Sequence, residues 1–220
     1  LWIRKNWLDN PKKASKLILH GHTIVDQVTH YGNRVNIDTG AAWGDELSAV
    51  VTIEENKGSL SEQNIMWIGD GNNVMRSWLE ASVITDLNLT ICTPKHLSPS
   101  KDLLESSIKK GAQITIDNDP NNAIKSKNVV ITDTWNSMGD GSINKENSLM
   151  PYQVNEALIK KAKKDAIFMH CLHAHRGHEV TSEVIDSKQS LVFEGAENRL
   201  HVQRSIIWWC LNLSLIHISE

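Results

Sequence analysis

The chain has 220 residues, a formal net charge of -3 and a sequence pI near 6.4. That length holds one large or two small domains with a real core, and the near-neutral balance leaves no basic footprint for nucleic acid. No apolar run approaches the roughly eighteen residues that a membrane span needs. The three cysteines, Cys92, Cys171 and Cys210, lack metal-type spacing and fit a reducing, cytoplasmic setting better than a disulfide framework. The opening Leu1-Trp-Ile-Arg-Lys has neither an initiator Met nor a signal-peptide layout, which predicts a chain truncated upstream.

In chain order, residues 1–53 read as β-rich. Lys16-Leu-Ile-Leu-His-Gly-His-Thr23 is a strand running into a histidine-bearing turn. Residues 33–51 read as two strands around a glycine-bearing loop, with no long amphipathic helix. From Lys57 onward the pattern alternates β and α. Short apolar strands are predicted at 65–68, 87–92, 113–116, 129–132, 167–170 and 191–193. Helices are predicted over about 74–84, 101–110, 153–163 and 196–211, with a short turn near 181–186. Strands that are apolar throughout suit burial on both faces, so the fold class is α/β, a doubly wound, Rossmann-like parallel sheet plus a small β-rich N-terminal fragment. The domain boundaries follow as 1–53, 54–212 and a tail at 213–220. That tail, Leu213-Ser-Leu-Ile-His-Ile-Ser-Glu220, resembles the translation of a transposase-type library adapter and is set aside from the fold.

Three polar clusters each follow an apolar run: Trp67-Ile-Gly-Asp-Gly-Asn-Asn73, Asp133-Thr-Trp-Asn-Ser-Met-Gly139 and Ala166-Ile-Phe-Met-His-Cys-Leu-His-Ala-His-Arg176. In an open α/β sheet ligands bind in the crevice beyond the strand carboxyl ends, so the three loops describe one site. Asn73 ends its turn at a helix start, where an amide and nearby N–H groups suit a carboxylate; Asn72 and Asn73 serve equally well as plain helix caps. A lone strand-end cysteine such as Cys171 more often packs than reacts. Arg199 on a helix is by default an exposed charge.

Taken together and in this order, the motifs resemble the ornithine carbamoyltransferases over residues 53–211. The resemblance implies attack of the ornithine δ-amine on carbamoyl phosphate, giving citrulline and phosphate, with no cofactor, in a cytoplasmic homotrimer. Such a site must orient a zwitterion, keep one amine neutral and neutralise a departing phosphate. By resemblance Asn73 holds the α-carboxylate, Asp133 takes the ammonium groups, Ser137 supplies a hydroxyl and Met138 a backbone contact. Cys171 lies between the amine and the carbamoyl group, the Leu172 carbonyl meets the carbamoyl NH₂, and Arg199 contacts carbamoyl phosphate. Cys171, Asp133 and Arg199 form the implied catalytic set.

Two departures from the family pattern matter. The family carries proline after His-Cys-Leu, with a cis bond before it, where this chain has His173. A cis bond before a non-proline residue costs about 2.5–4 kcal/mol, which predicts relaxation to trans and a displaced Leu172. The Ser-Thr-Arg-Thr phosphate loop, the later phosphate arginine and the His-Pro-x-Gln segment do not occur; Ala42-Trp-Gly-Asp45 stands where the last would be. The expectation is an amino-acid-binding half with most of the carbamoyl phosphate site missing.

Residues 1–51 resemble instead the C-terminal end of calcineurin-like metallophosphatases. The resemblance rests on Trp2-Ile-Arg4, His20-Gly-His-Thr23, Asn36-Ile-Asp-Thr-Gly40 and Leu47-Ser-Ala-Val50. It implies His22 as a metal ligand, with His20 a neighbour, and a divalent, manganese-type metal were that domain complete. The two resemblances meet at Thr52-Ile-Glu-Glu55, which predicts a chimeric joint rather than a natural two-domain protein. A phosphatase-related metalloprotein and an ornithine-binding module without catalysis stand as the alternatives to an enzyme fragment.

Overall fold

A computed structural model describes residues 18–20, 29–30, 34–36, 43–135 and 145–216, with side chains over 49–135 and 145–208. The chain divides into two units, Leu1–Ala42 and Trp43–Glu220. In the first, strands β1 (Ile18–His20), β2 (Thr29–His30) and β3 (Arg34–Asn36) form a sheet of order β1-β3-β2. β3 runs parallel to β1 and antiparallel to β2.

The second unit is an α/β layer structure. Its strands are β4 (Asn64–Ile68), β5 (Asn88–Cys92), β6 (Gln113–Ile116), β7 (Val129–Thr132) and β8 (Ile167–His170). They pair in the order β6-β5-β4-β7-β8, parallel at every junction. Alternate side chains of β4, β5, β7 and β8 enter separate cores, as the two-residue period requires. Ile65 and Trp67 of β4 join Leu89, Ile91, Val129, Ile131 and Met169 on one face. Met66 and Ile68 join Cys92, Val130 and Phe168 on the other. Both faces of β4, β5, β7 and β8 are covered, which is why these strands are largely apolar, whereas the edge strand β6 is mostly exposed.

Helices α1 (Trp43–Lys57), α2 (Asn73–Ile84), α3 (Lys101–Lys109) and α8 (Val192–Ile216) are the long ones among the described residues. Four single-turn helices intervene: α4 (Pro120–Ala123), α5 (Glu146–Leu149), α6 (Glu156–Ile159) and α7 (Ser182–Ile185). Trp78 and Leu79 carry α2 into the first core, and Leu158 and Ile159 carry α6 into the second. At roughly 1.5–3 kcal/mol for each large apolar side chain buried, these anchors dominate the attachment of the helices.

Several elements differ from expectation. The stretch read as a second strand before Val51 belongs to α1, which ends at Gly58 in the left-handed conformation (φ 80°), its N–H donating to the Glu54 carbonyl at 3.0 Å. The β-branched run Val50-Val-Thr-Ile53 suggested extended chain, but packing against α8 decides the outcome. Asn198 of α8 donates through Nδ2 to Thr52 Oγ1 at 2.9 Å, and Ile53 is fully buried. The expected joint at 52–55 therefore lies inside one helix. The strand expected at 191–193 is a single bridge, Ser190 to Phe168, after which Val192 opens α8. The helix expected over 153–163 is one turn, α6, capped by the Asn155 side chain. α8 also continues through Ile216, into the tail set aside above.

Candidate functional site

The sheet order places β5 and β6 on one side of β4, and β7 and β8 on the other, so the chain reverses its direction of growth between β4 and β7. A crevice opens at such a point beyond the strand ends. The loops after β4, β7 and β8 converge there.

The loop after β4 is shaped by close backbone approaches. Gly69 (φ 128°) donates its N–H to the Cys92 carbonyl at 3.0 Å, and Trp67 Nε1 donates to the Asp70 carbonyl at 3.0 Å. A Cβ on Gly71 would overlap the Leu97 carbonyl oxygen, so residue 71 has room for hydrogen alone. The Asp70 carboxylate is buried and ion-paired with Lys145 Nζ at 2.9 Å. Asn72 then caps α2, its Oδ1 accepting from Met75 N–H at 3.1 Å. Its Nδ2 donates to Asp133 Oδ2 at 3.0 Å.

Asp133 terminates β7 and is 7% exposed. Burial pushes its carboxyl above the ordinary carboxylate range. The Thr134 backbone N–H and the Asn72 amide pull the other way by stabilising the ionised form. Beside it Thr132 Oγ1 donates to the Ile68 carbonyl at 2.6 Å, tying the ends of β4 and β7 together.

After β8, His170 is buried and fixed at both ring nitrogens. Its Nδ1 accepts from Leu172 N–H at 2.8 Å, so the proton of the neutral ring sits on Nε2, which donates to Glu179 Oε1 at 3.3 Å. Glu179, 0% exposed, also accepts from the backbone N–H of His175. His175 Nδ1 lies 3.0 Å from Thr134 Oγ1, which joins the β7 and β8 loops. The Leu172–His173 peptide is cis, contrary to the trans bond expected before a non-proline residue. The hydrogen bonds at Leu172 and His175 hold the loop on either side of it. Cys171 is half-buried, and its carbonyl accepts from Arg199 Nη2 at 2.7 Å. Cys171 and Arg199 share a small cavity with Trp78, Ile131, Met169 and His170.

Of the residues singled out in the sequence, Asp133, Cys171 and Leu172 lie in these loops, and Arg199 reaches the β8 loop from within α8. Asn73 is exposed on a separate polar cleft of about 420 Å³, shared with Asn72, Arg76, His96 and Lys145. The hydrogen bond to Asp133 comes from Asn72, its neighbour, rather than from Asn73. Ser137, Met138 and His22 lie outside the described residues. Asn72, His170 and Glu179 escaped the sequence reading as site components. Asn72 was legible as a cap, whereas nothing in the spacing of His170 and Glu179 announces a pair. Among the described residues, no group of three or more His, Cys, Asp or Glu is placed to hold a metal ion. No helix among them is long and apolar enough to cross a membrane.

Residues 61–210 match a protein-family model described as aspartate/ornithine carbamoyltransferase, Asp/Orn binding domain. The chain is 51% identical over 166 residues to an ornithine carbamoyltransferase of Rhodopseudomonas palustris, covering 75% of this chain and 54% of that protein. It is 48% identical over 166 residues, with the same coverage, to one from Nitrobacter winogradskyi. Among solved structures it resembles the anabolic ornithine carbamoyltransferase of Campylobacter jejuni, with a TM-score of 0.71, 35% identity, and coverage of 77% of this chain and 58% of that one. The enzyme from Pyrococcus furiosus superposes with a TM-score of 0.70 at 36% identity, covering 76% and 55%. The chain thus spans about half the length of the curated relatives it matches. These matches lend no support to the metallophosphatase reading of residues 1–51, nor to a fusion of two families.

Proposed function

The chain belongs to the aspartate/ornithine carbamoyltransferase family through its Asp/Orn-binding domain, and from that premise we propose that it is the L-ornithine-binding half of an ornithine carbamoyltransferase. The ornithine carbamoyltransferases need no cofactor. The observation that carries the assignment is Asp133: a carboxylate 7% exposed, at the sheet's reversal point, held by the Asn72 amide. A buried carboxylate facing a crevice suits an ammonium group, and burial strengthens that attraction.

In this assignment Asp133 receives an ornithine ammonium group, Asn73 meets the α-carboxylate, and Ser137 and Met138 add a hydroxyl and a backbone contact. The neutral δ-amine forms a C–N bond to the carbamoyl carbon of carbamoyl phosphate as the C–O bond to phosphate breaks. Phosphate leaves and the nitrogen gives up a proton. Cys171 stands beside the attacking amine, the Leu172 carbonyl accepts from the carbamoyl NH₂, and Arg199 carries positive charge toward the phosphate. The contact from Arg199 to the Cys171 carbonyl and the His170–Glu179 pair support this arrangement by fixing the β8 loop. The same reading carries homotrimeric assembly and a cytoplasmic location.

Calorimetric titration of the full chain with L-ornithine tests the assignment. Binding that is lost in Asp133→Asn, with unchanged secondary structure by circular dichroism, is the expected result. Absence of ornithine binding by the wild-type chain, or binding indifferent to Asp133→Asn, would refute it.

A further inference from the structure

The polar cleft beside Asn73 holds a charge that the assigned roles leave unused. Asp70, the acid on its wall, is already neutralised by Lys145 Nζ at 2.9 Å. Arg76 is exposed on the same wall, and no described carboxylate lies within ion-pair distance of it. Among the described lining residues, Arg76 therefore carries a positive charge with no described counter-ion.

Position along α2 matters as much as charge. Arg76 follows Asn73 by three residues and Asn72 by four, and residues so spaced share one face of a helix. One face of the first turn thus presents the Asn73 amide and the Arg76 guanidinium to a single cleft of about 420 Å³. A planar guanidinium can grip a carboxylate with two parallel hydrogen bonds, which a single amide cannot do. On the other side of Asn72 stands a charge of the opposite sign, Asp133, 3.0 Å from the Asn72 amide nitrogen. Asn72 links the two: its side chain binds the buried Asp133 and also lines the cleft that holds Asn73 and Arg76. The carboxylate of an α-amino acid is complementary to the amide and guanidinium that this cleft presents. A diamine is not, since it brings a second cation or nothing to Arg76.

We propose that Arg76 is a specificity-determining residue that selects substrates bearing a free α-carboxylate. The proposal rests on the ornithine assignment above and deepens it: the cleft at the start of α2 reads the carboxylate, while the crevice at Asp133 reads the ammonium groups.

The test compares L-ornithine with 1,4-diaminobutane, which is the same molecule without its carboxylate, by calorimetric titration of the full chain and of Arg76→Gln and Arg76→Lys. An exposed charge-assisted contact of this kind predicts that Arg76→Gln weakens ornithine about tenfold. Diaminobutane should be unaffected, Arg76→Lys should recover part of the loss, and raised salt should shrink the wild-type preference for ornithine. Because Arg76 is exposed, the melting temperature of the variants should match wild type. Equal affinity of wild type and Arg76→Gln for ornithine would overturn the proposal, as would a parallel loss for both ligands. If Asp133→Asn still abolished ornithine binding in that case, the functional assignment would survive without this part of it. A wild-type chain that binds no ornithine at all overturns both.

Discussion

Replacing Glu179 by alanine removes the acceptor around which the β8 loop is organised. The residue is fully buried, and Oε1 takes hydrogen bonds from His170 Nε2 at 3.3 Å and from the His175 backbone N–H. The substitution leaves a fully buried imidazole N–H without an acceptor, at a cost of about 1–3 kcal/mol. The half-buried backbone N–H adds about 1 kcal/mol, for a total of about 2–4 kcal/mol. In a chain of this size each kcal/mol shifts the unfolding midpoint by about 2–4 °C, so Glu179→Ala should melt about 4–16 °C below wild type. Glu179→Gln keeps an oxygen where His170 and His175 donate, and its loss should be distinctly smaller. Thermal unfolding of the three proteins by circular dichroism measures both differences. An alanine variant within about 2 °C of wild type, or a glutamine variant as damaged as the alanine one, would show that acceptance by Glu179 does not organise the loop.

Gly71→Ala places a Cβ against the Leu97 carbonyl, 3.0 Å from its carbon and closer still to its oxygen. Because the obstacle is backbone, it should cost about 1–3 kcal/mol in the same melts and weaken ornithine binding by displacing Asn72 and Asn73. Asp133 titrates above the ordinary 3.8 chiefly because it is buried. The folded state therefore holds its proton where the unfolded chain has lost it, and stability falls as pH rises from 3.8 through the folded value. Denaturant titrations at a series of pH values should show this decline in wild type and not in Asp133→Asn, and ornithine affinity should rise over the same interval as the carboxylate ionises. Finally, the chain incubated with ornithine and carbamoyl phosphate should give no citrulline above background. Losing even one oxyanion donor costs on the order of 10²–10³ in rate, and several phosphate-binding motifs do not occur in this sequence. Citrulline above background in a colorimetric assay would contradict that.

Much of the sheet was legible because its physical cause is written locally. The strands at 65–68, 129–132 and 167–170 match the structure closely, since burial on both faces leaves an apolar run bounded by polar turns; the mostly exposed strand at 113–116 matches as well, on its β-branched Ile114, Thr115 and Ile116. Asp133 and Cys171 could be placed for the same reason: each directly follows such a strand. What failed to show was whatever depends on a distant partner. The α1 helix looks extended in isolation and is helical against α8, where Asn198 reaches Thr52 and Glu55 at 2.9 and 3.0 Å. Residues 191–193 have the apolar character of a strand, but their turn into α8 follows from one bridge to Phe168. The His170–Glu179 contact spans nine positions and obeys neither helical nor strand periodicity. Asn72 was visible as a cap and invisible as a site residue, because its second hydrogen bond ends 61 positions away.

That double engagement of Asn72 has an evolutionary side. Most positions let a lineage lose function and keep the fold, or lose both together, and sequence drift records which. At residue 72 aspartate would cap α2 about as well as asparagine. It would also set a second carboxylate against Asp133 where the amide now donates at 3.0 Å. A descendant carrying that one-atom exchange would keep the cap yet lose the hydrogen bond to Asp133 and press two carboxylates together, so stability and a crevice arranged for an ammonium group would be lost in the same step. Residue 72 thus ties the start of α2 and the end of β7 to one side chain, and drift there is visible both in melting and in ligand titration.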